Sequence, residues 1–183
     1  MLKLNVPDTE YFDEKNNEFV SVKGQTLMLE HSLISLAKWE SKWKTPFLSN
    51  EDKTYAQMLD YIRCMTTNNV VDDRIYMALS NEHILAVKDY INDTMTATWF
   101  NDKSQNGTKA LHKKVITAEI LYYDMIALQI PFECQKWHLN RLITLIRVCE
   151  IKNSPPKKMG KNELMRRNRA LNAARKARFN TSG

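Results

Sequence analysis

The residue types best suited to chemistry in this 183-residue chain are its histidines and cysteines. His31, His83, His112 and His138 do not share the short spacings of metal-ligating histidines, and the sequence contains no His-Glu-x-x-His motif. Cys134 precedes His138 by four residues, so a helix would place both on one face, as a thiolate–imidazole pair requires. Because no orienting third residue or oxyanion-binding nest accompanies them in the sequence, we interpret the pair as a buried thiol beside a packing histidine.

Other catalytic and cofactor sites have even less support in the sequence. Four glycines are too few to build a phosphate-cradling loop. Cys64, Cys134 and Cys149 are too far apart for a disulfide framework or a zinc clamp, so buried, reduced thiols are expected. We therefore predict no catalytic residue, no metal site and no cofactor, and hence a protein that is not an enzyme.

Aromatic residues offer a second kind of chemistry, the stacking of flat groups. Trp39 and Trp43 lie four residues apart among three lysines, so a basic aromatic patch that stacks nucleic-acid bases is one interpretation. Core packing is the favoured interpretation, in which these two tryptophans brace the first helix of the body and Trp137 helps to hold the last. Nine methionines are interpreted as core filler, with an adaptable binding groove as the alternative.

The elements that would position these residues follow from the periodicity of apolar side chains. The first thirty residues alternate apolar and polar side chains around turn residues, which predicts two or three short β-strands. From Ser32, a suitable N-cap, apolar residues recur at three- and four-residue steps and predict helices. Ser49 or Asn50 is expected to cap the second helix, because the two acidic residues that follow suit a first helical turn.

The same patterns predict the later elements. Residues 72–73 and Ser80 each mark the start of a helix. The β-branched and aromatic stretch 94–100 favours a strand or an extended connection. Residues 115–130 are apolar on more than one face and should lie deep, and a last body helix is expected over roughly 134–148.

Charge is distributed unevenly along the chain, whose net charge is +6. Residues 1–151 contain 17 basic and 20 acidic residues, whereas residues 152–183 contain ten basic residues and one acidic residue. Pro155-Pro156 prevents helix continuation between them. Asn162 can cap residues 163–178, which are rich in helix formers but poor in apolar side chains and so predict a basic helix that is mobile until it binds a partner. The predicted contacts of this tail are Lys157, Lys158, Arg166, Arg167, Arg169 and Arg175.

These observations together predict one fold class: mainly α with a short N-terminal β element, as a compact helical body with a basic C-terminal helical tail. The predicted divisions are a β-rich segment (1–31), a helical body (32–151), a Pro-Pro linker (152–160) and the basic tail (161–183). With 43% hydrophobic and 26% charged residues, the composition excludes disordered and collagen-like chains. The sequence has no apolar run of membrane-spanning length and no signal peptide, so neither membrane insertion nor secretion is expected.

Several stretches of the chain resemble those of one known family. They are Trp39-Glu40-Ser41-Lys42-Trp43, Met95-Thr96-Ala97-Thr98-Trp99-Phe100, Pro131-Phe132-Glu133-Cys134-Gln135-Lys136-Trp137-His138-Leu139-Asn140-Arg141-Leu142 and Asn168-Arg169-Ala170-Leu171-Asn172-Ala173-Ala174-Arg175. In these stretches the chain resembles the tail assembly chaperones of long-tailed siphophages. The resemblance spans most of the chain.

The resemblance implies a non-enzymatic, largely helical protein of the host cytoplasm that is absent from the finished virion. Such a protein coats the long, hydrophobic tape measure protein and helps to recruit tail tube subunits, so the implied partners are these two proteins and a second copy of the chain. No small molecule, membrane or nucleic acid is expected as a partner. The family often makes two products by ribosomal slippage, and this chain resembles the shorter one, with a slippery heptamer conceivable at Gly160-Lys161. A structural tail or head–tail junction protein and a small nucleic-acid-binding regulator stay open as alternatives.

Overall fold

The structure is a computed structural model that describes residues 1–14, 16–49, 51–100, 115–154 and 160–180. Backbone contacts divide the chain into two compact units, Met1–Glu150 and Ile151–Gly183. Short β-strands open the first unit and helices make up most of the rest of the described residues. The predicted fold class, mainly α with a small N-terminal β element, is confirmed.

The N-terminal strands form two antiparallel pairs. The strands are β1 (Leu2–Val6), β2 (Thr9–Asp13), β3 (Glu18–Val22) and β4 (Gln25–Leu29). β1 pairs with β4 and β2 pairs with β3, which is at least one strand more than the sequence predicted. Gly24 lies just before β4, where an added Cβ would approach the Asp8 amide nitrogen to 2.6 Å, so the turn needs glycine.

The helices that follow have well-formed N-termini. They are α1 (Leu33–Trp43), α2 (Tyr55–Met65), α3 (Asn81–Asn92), α4 (Ala118–Ala127) and α5 (Leu139–Asn153), with 3-10 helices at Asp73–Tyr76 and Phe132–Lys136. Ser32 and Ser80 cap α1 and α3 through reciprocal bonds between side chain and backbone, as their sequence positions predicted.

The predicted start of α2 is wrong. Thr54 is its N-cap, because the Thr54 hydroxyl accepts from the Gln57 amide while the Gln57 side chain accepts from the Thr54 amide. Ser49 instead accepts a hydrogen bond from Lys53 Nζ, and the acidic pair 51–52 precedes the helix. Asn50, the other predicted cap, lies outside the described residues.

The core of the first unit joins the β-strands to the helices. Its fully buried side chains include Leu27, Leu29, Leu33, Leu36, Ile62, Leu139 and Leu142. Backbone hydrogen bonds connect the end of β4 to the end of α2, since Glu30 N–H donates to Met65 O and Thr67 N–H donates to Met28 O. The β-strands are therefore part of the same packed unit as α1 and α2.

The prediction that residues 115–130 lie deep is wrong for part of this segment. α4 buries Ala118, Leu121 and Met125, which fall on one helical face, but Tyr123 and Ile126 are 68% and 61% exposed. The apolar residues on the opposite face of α4 therefore face solvent within the first unit.

The predicted last body helix, 134–148, is also interrupted. Residues 132–136 form a 3-10 helix and α5 begins only at Leu139. Between them, His138 makes an antiparallel bridge with Ser32, and Leu139 N–H donates to His31 O over 2.7 Å. The backbone pairs with the start of α1 here instead of continuing a helix.

The remaining sequence expectations have mixed outcomes. Residues 94–100 form an irregular connection without strand pairing, and the helix expected from 72–73 is a short 3-10 helix. In the second unit, α6 (Lys161–Phe179) is continuous, and its described side chains are all exposed. The Pro-Pro segment 155–159 lies outside the described residues, and the predicted four-part division of the chain stays a prediction.

Candidate polypeptide-binding site

Trp39 belongs to the core and not to a stacking surface. Its side chain is fully buried, and its indole Nε1–H donates to Gln57 O at 2.9 Å, which ties α1 to the first turn of α2. The ring meets Phe47 and Tyr61 edge-on, with centroids 5.0 Å and 6.4 Å away. The favoured interpretation of this tryptophan as a core residue agrees with its position in the structure.

Trp43 stands at the edge of the same aromatic cluster and is partly exposed. Its ring stacks against Trp39 with centroids 6.1 Å apart, and its Nε1–H donates to Asp60 Oδ2 over 2.9 Å. Lys42 also donates to Asp60, through an ion pair with the other carboxylate oxygen. Two neighbouring side chains of α1 are thus fastened to one carboxylate of α2.

Asp60 is the electrostatic anchor of this region. Burial alone would raise the pKa of its carboxyl, but the hydrogen bonds from Lys42 and Trp43 outweigh burial and the pKa lies below its usual value. Arg63 adds a second cation, 3.5 Å from the same carboxylate. Asp60 therefore stays ionised and keeps the three surrounding side chains in place at neutral pH.

An open groove lies beside this anchor, between the end of α1, the outer face of α2 and the 3-10 helix at 73–76. We call it the α1–α2 groove; it encloses about 330 Å³ and is lined by Lys42, Trp43, Tyr55, Ala56, Leu59, Asp60, Arg63, Tyr76 and Met77. Tyr55 and Met77 are 59% and 60% exposed, so apolar area is presented to solvent at both sides. The groove combines an apolar floor with a cationic rim and can accept apolar side chains of another polypeptide.

Trp137 lies apart from this groove and has a positioning role. It follows the 3-10 helix at 132–136 and is partly buried against the core. The Arg141 guanidinium lies 4.2 Å from its ring centroid, in a cation–π contact that links the residue to the first turn of α5. The structure does not bring Trp137 together with Trp39 and Trp43 in one binding surface.

A buried polar cluster that sequence reasoning missed occupies the core near the start of α1. The rings of His31 and His138 meet edge-on with centroids 5.0 Å apart, and His31 Nδ1 is hydrogen-bonded to Tyr61 Oη at 2.5 Å. Burial, and then the neighbouring His138, lower the pKa of His31 to about 3. His138 Nε2 donates to Tyr90 O at 2.9 Å, and its Nδ1 is buried without a hydrogen-bond partner among the described residues.

The Cys134–His138 pair is not arranged as a nucleophile and its base. Burial, followed by the charge of Glu133, raises the pKa of the Cys134 thiol, which disfavours the reactive thiolate. The His138 ring packs edge-on against the rings of His31 and Tyr90. The geometry therefore favours the packing interpretation of these two residues.

Glu40 is a second buried group that the sequence did not single out. One carboxylate oxygen accepts from Phe47 N–H at 2.9 Å and the other from Ala118 N–H at 2.7 Å. Because Ala118 begins α4, the carboxylate sits at the positive end of that helix and joins it to α1. The signal that could have revealed it is an acidic residue at a helical position flanked by the apolar residues Leu36, Trp39 and Trp43.

The structure describes four of the six predicted tail contacts. Arg166, Arg167, Arg169 and Arg175 lie on α6 with exposed side chains, whereas Lys157 and Lys158 lie outside the described residues. Within the described ranges, no group of three or more His, Cys, Asp or Glu could hold a metal ion. The helices of these ranges also include none with the length and apolar character needed to cross a bilayer.

Comparisons with known proteins do not place the chain in a family. No protein-family model, no curated protein and no solved structure matches it.

Proposed function

We propose that this protein is a non-enzymatic phage tail assembly chaperone that acts in the host cytoplasm, binds the tape measure protein and helps to recruit tail tube subunits. The proposal starts from the stretches that resemble that family, in which the client is a long, hydrophobic polypeptide. Such a client needs reversible cover for many apolar segments. A folded protein with an accessible apolar groove suits that task.

The α1–α2 groove is the observation that carries the proposal. Its floor is held in place by the Trp43–Asp60 and Lys42–Asp60 contacts, so little ordering is needed when a client side chain enters. A volume of about 330 Å³ is roughly twice that of the 150 Å³ cavity that accommodates benzene, which leaves room for one or two large apolar side chains.

The size of the groove also accounts for reversibility. Each large apolar side chain that is fully buried contributes about 1.5–3 kcal/mol, so one groove holds one client segment weakly. Several copies of the protein bound along one long client would be strengthened by effective concentration without further contacts. Weak binding at each groove, combined with firm binding by many copies together, suits a chaperone that must be released when the tail tube assembles.

The test is co-expression of the full chain with the tape measure protein, with soluble client as the readout. The groove variant Tyr55→Ser/Met77→Ser changes two side chains that are 59% and 60% exposed, so the fold should be retained. The matched control is Val70→Ser/Leu85→Ser, which changes two exposed apolar residues that do not line the groove, 82% and 58% exposed. We expect the groove variant to bind the client about tenfold or more weakly, since 1.4 kcal/mol of lost contact corresponds to tenfold in affinity, and therefore to yield less soluble complex than the control variant.

Two results would contradict the proposal. One is an equal yield of soluble complex for the groove variant and the control variant. The other is recovery of the protein in stoichiometric amounts from purified virions, which would instead support the structural alternative. Circular dichroism of each variant establishes that any loss is not caused by unfolding.

A further inference from the structure

The basic helix α6 has a charge distribution that the proposed function does not use. From Leu164 to Phe179 the sequence contains six cationic residues and no acidic residue. The described side chains of α6 are all exposed. At about 100° per residue, Leu164, Met165, Leu171 and Phe179 fall within roughly 120° of one another, but Asn168, Asn172 and Arg175 lie among them, so this side of the helix is mixed and not an uninterrupted apolar stripe.

One face of α6 combines amides, a guanidinium and an aromatic ring with the aliphatic side chains of Leu164, Met165 and Leu171. At about 100° per residue, Asn168, Asn172, Arg175 and Phe179 fall within roughly 60° of one another around the helix axis. Asparagine amides can make paired hydrogen bonds to adenine, and an arginine can do the same with guanine. This face, which we call the amide face, therefore carries side chains suited to reading base edges.

Cations flank the amide face on both sides. Arg169 and Lys176 lie about 70–90° to one side of its centre, and Arg167 and Arg178 lie about 90–110° to the other. The opposite side of the helix is formed largely by alanines, with Arg166 among them. Charge is thus arranged as two parallel rows, and the strip between them mixes polar side chains with the apolar side chains of Leu164, Met165, Leu171 and Phe179.

We propose that α6 lies in the major groove of double-stranded DNA, with the amide face against the base edges and the two cationic rows against the phosphates of the two strands. An α-helix with its side chains is about 10–12 Å across, and the B-form major groove is about 12 Å wide. Phosphates line both walls of that groove, so it matches a helix whose cations lie on both sides. A flat acidic protein surface could engage only one of the two rows.

The arrangement also selects among nucleic acids. The major groove of A-form RNA is deep and narrow, and a single strand has only one phosphate row, so neither offers two walls around a helix. The proposal goes beyond the tape measure interaction and differs from the sequence expectation of no nucleic-acid partner. It neither rests on the chaperone proposal nor fails with it, because the groove and α6 are separate surfaces on the two units.

The first experiment measures binding of the full chain to a random-sequence pool of labelled DNA duplexes of about 20 bp, longer than the roughly 28 Å helix. Four phosphate contacts predict a slope of log affinity against log salt near −3.6, or roughly 150-fold weaker binding at 200 mM than at 50 mM salt. Single-stranded DNA, an RNA duplex and polyglutamate serve as competitors. Equal competition by any of the three would overturn the proposal.

Variants separate phosphate contacts from base contacts. Arg169→Gln/Lys176→Gln removes one cationic row and should reduce the salt slope by about two with every sequence. The matched control is Lys23→Gln/Lys88→Gln, which removes two exposed charges from the first unit and should leave the slope unchanged. Both glutamine and alanine are strong helix formers, so α6 is retained, and circular dichroism verifies this.

The amide face is tested by Asn168→Ala/Asn172→Ala. The unmodified protein should bind the sequences that it enriches from the pool more tightly than random duplex. The alanine variant should lose about tenfold or more of this preference while it retains the salt slope. If no sequence is enriched, or if the alanine variant keeps the full preference, the assignment of the amide face to base edges is wrong. An unchanged slope in the Arg169/Lys176 variant would overturn the assignment of the cationic rows.

Discussion

Acidification below pH 6.5 should destabilise the first unit, because the folded protein holds His31 as a neutral imidazole. The ring is buried, faces the ring of His138, and is hydrogen-bonded to Tyr61. Burial first and His138 second lower the pKa of His31 to about 3, against an ordinary value of 6.5. Between these two values the unfolded chain takes up a proton at this residue and the folded chain does not.

The sign and size of the effect follow from this difference. The stabilisation due to neutral His31 is fully present above pH 6.5 and is lost progressively as the pH falls toward 3. One pKa unit corresponds to about 1.4 kcal/mol, so lowering the pH to 4.5 removes about 3 kcal/mol. That is a large fraction of the 5–15 kcal/mol by which domains are usually stable.

Urea unfolding at pH 7 and at pH 4.5, followed by tryptophan fluorescence, measures this loss. His31→Asn replaces the imidazole with a side chain that retains a polar atom near the Nδ1 position but does not titrate. The variant should be less stable at pH 7, and its free energy of unfolding should fall by about 3 kcal/mol less on acidification. His83→Asn on α3 is the matched control for losing a histidine elsewhere. If His31→Asn kept the full pH dependence of the unmodified protein, the assignment of the acid-labile group to His31 would be refuted.

Two further predictions concern buried contacts, and both are measured as changes in the free energy of unfolding in urea. Trp39→Ala should cost about 3–5 kcal/mol, because the side chain is fully buried. Trp43→Ala should cost only about 1–2 kcal/mol, mainly for the lost hydrogen bond to Asp60. Equal costs for the two variants would contradict the different positions of the two rings. Glu40→Gln should cost about 1–3 kcal/mol, because the NH₂ group of the new amide faces the N–H of Phe47 or Ala118 and two donors cannot form a hydrogen bond. An unchanged free energy of unfolding would mean that the carboxylate does not hold α4 to α1.

The sequence predicted the starts of α1 and α3 from local signals, although it missed the equally local Thr54–Gln57 capping box of α2. Ser32 and Ser80 were recognisable as caps because a capping box depends on residues within one turn. The helix predicted over 134–148 failed at His138, where a bridge to Ser32, more than a hundred residues earlier, displaces helical bonding. A contact at that separation leaves no periodic trace in a single sequence.

The candidate site was only partly predictable for a related reason. The position of Trp43 at the end of an amphipathic helix identified a bracing residue, but its partner Asp60 lies on another helix. Tyr55 and Met77 became part of a groove only when α2 and the 3-10 helix at 73–76 were packed together. Buried groups such as His31 and Glu40 were equally hidden, because polar residues are normally exposed and the partners that permit their burial are distant.

The two proposed surfaces use different physical forces, which makes their contributions separable in one preparation. Binding in the α1–α2 groove depends on apolar burial, which kosmotropic salts such as sulfate strengthen. Binding by α6 depends on neutralising phosphates, and counterion competition weakens it steeply with salt. A protein that bridged an apolar polypeptide and DNA would therefore release the DNA first as salt is raised, while the client stayed bound. Release of both at the same salt concentration would contradict this difference in the forces that hold the two ligands.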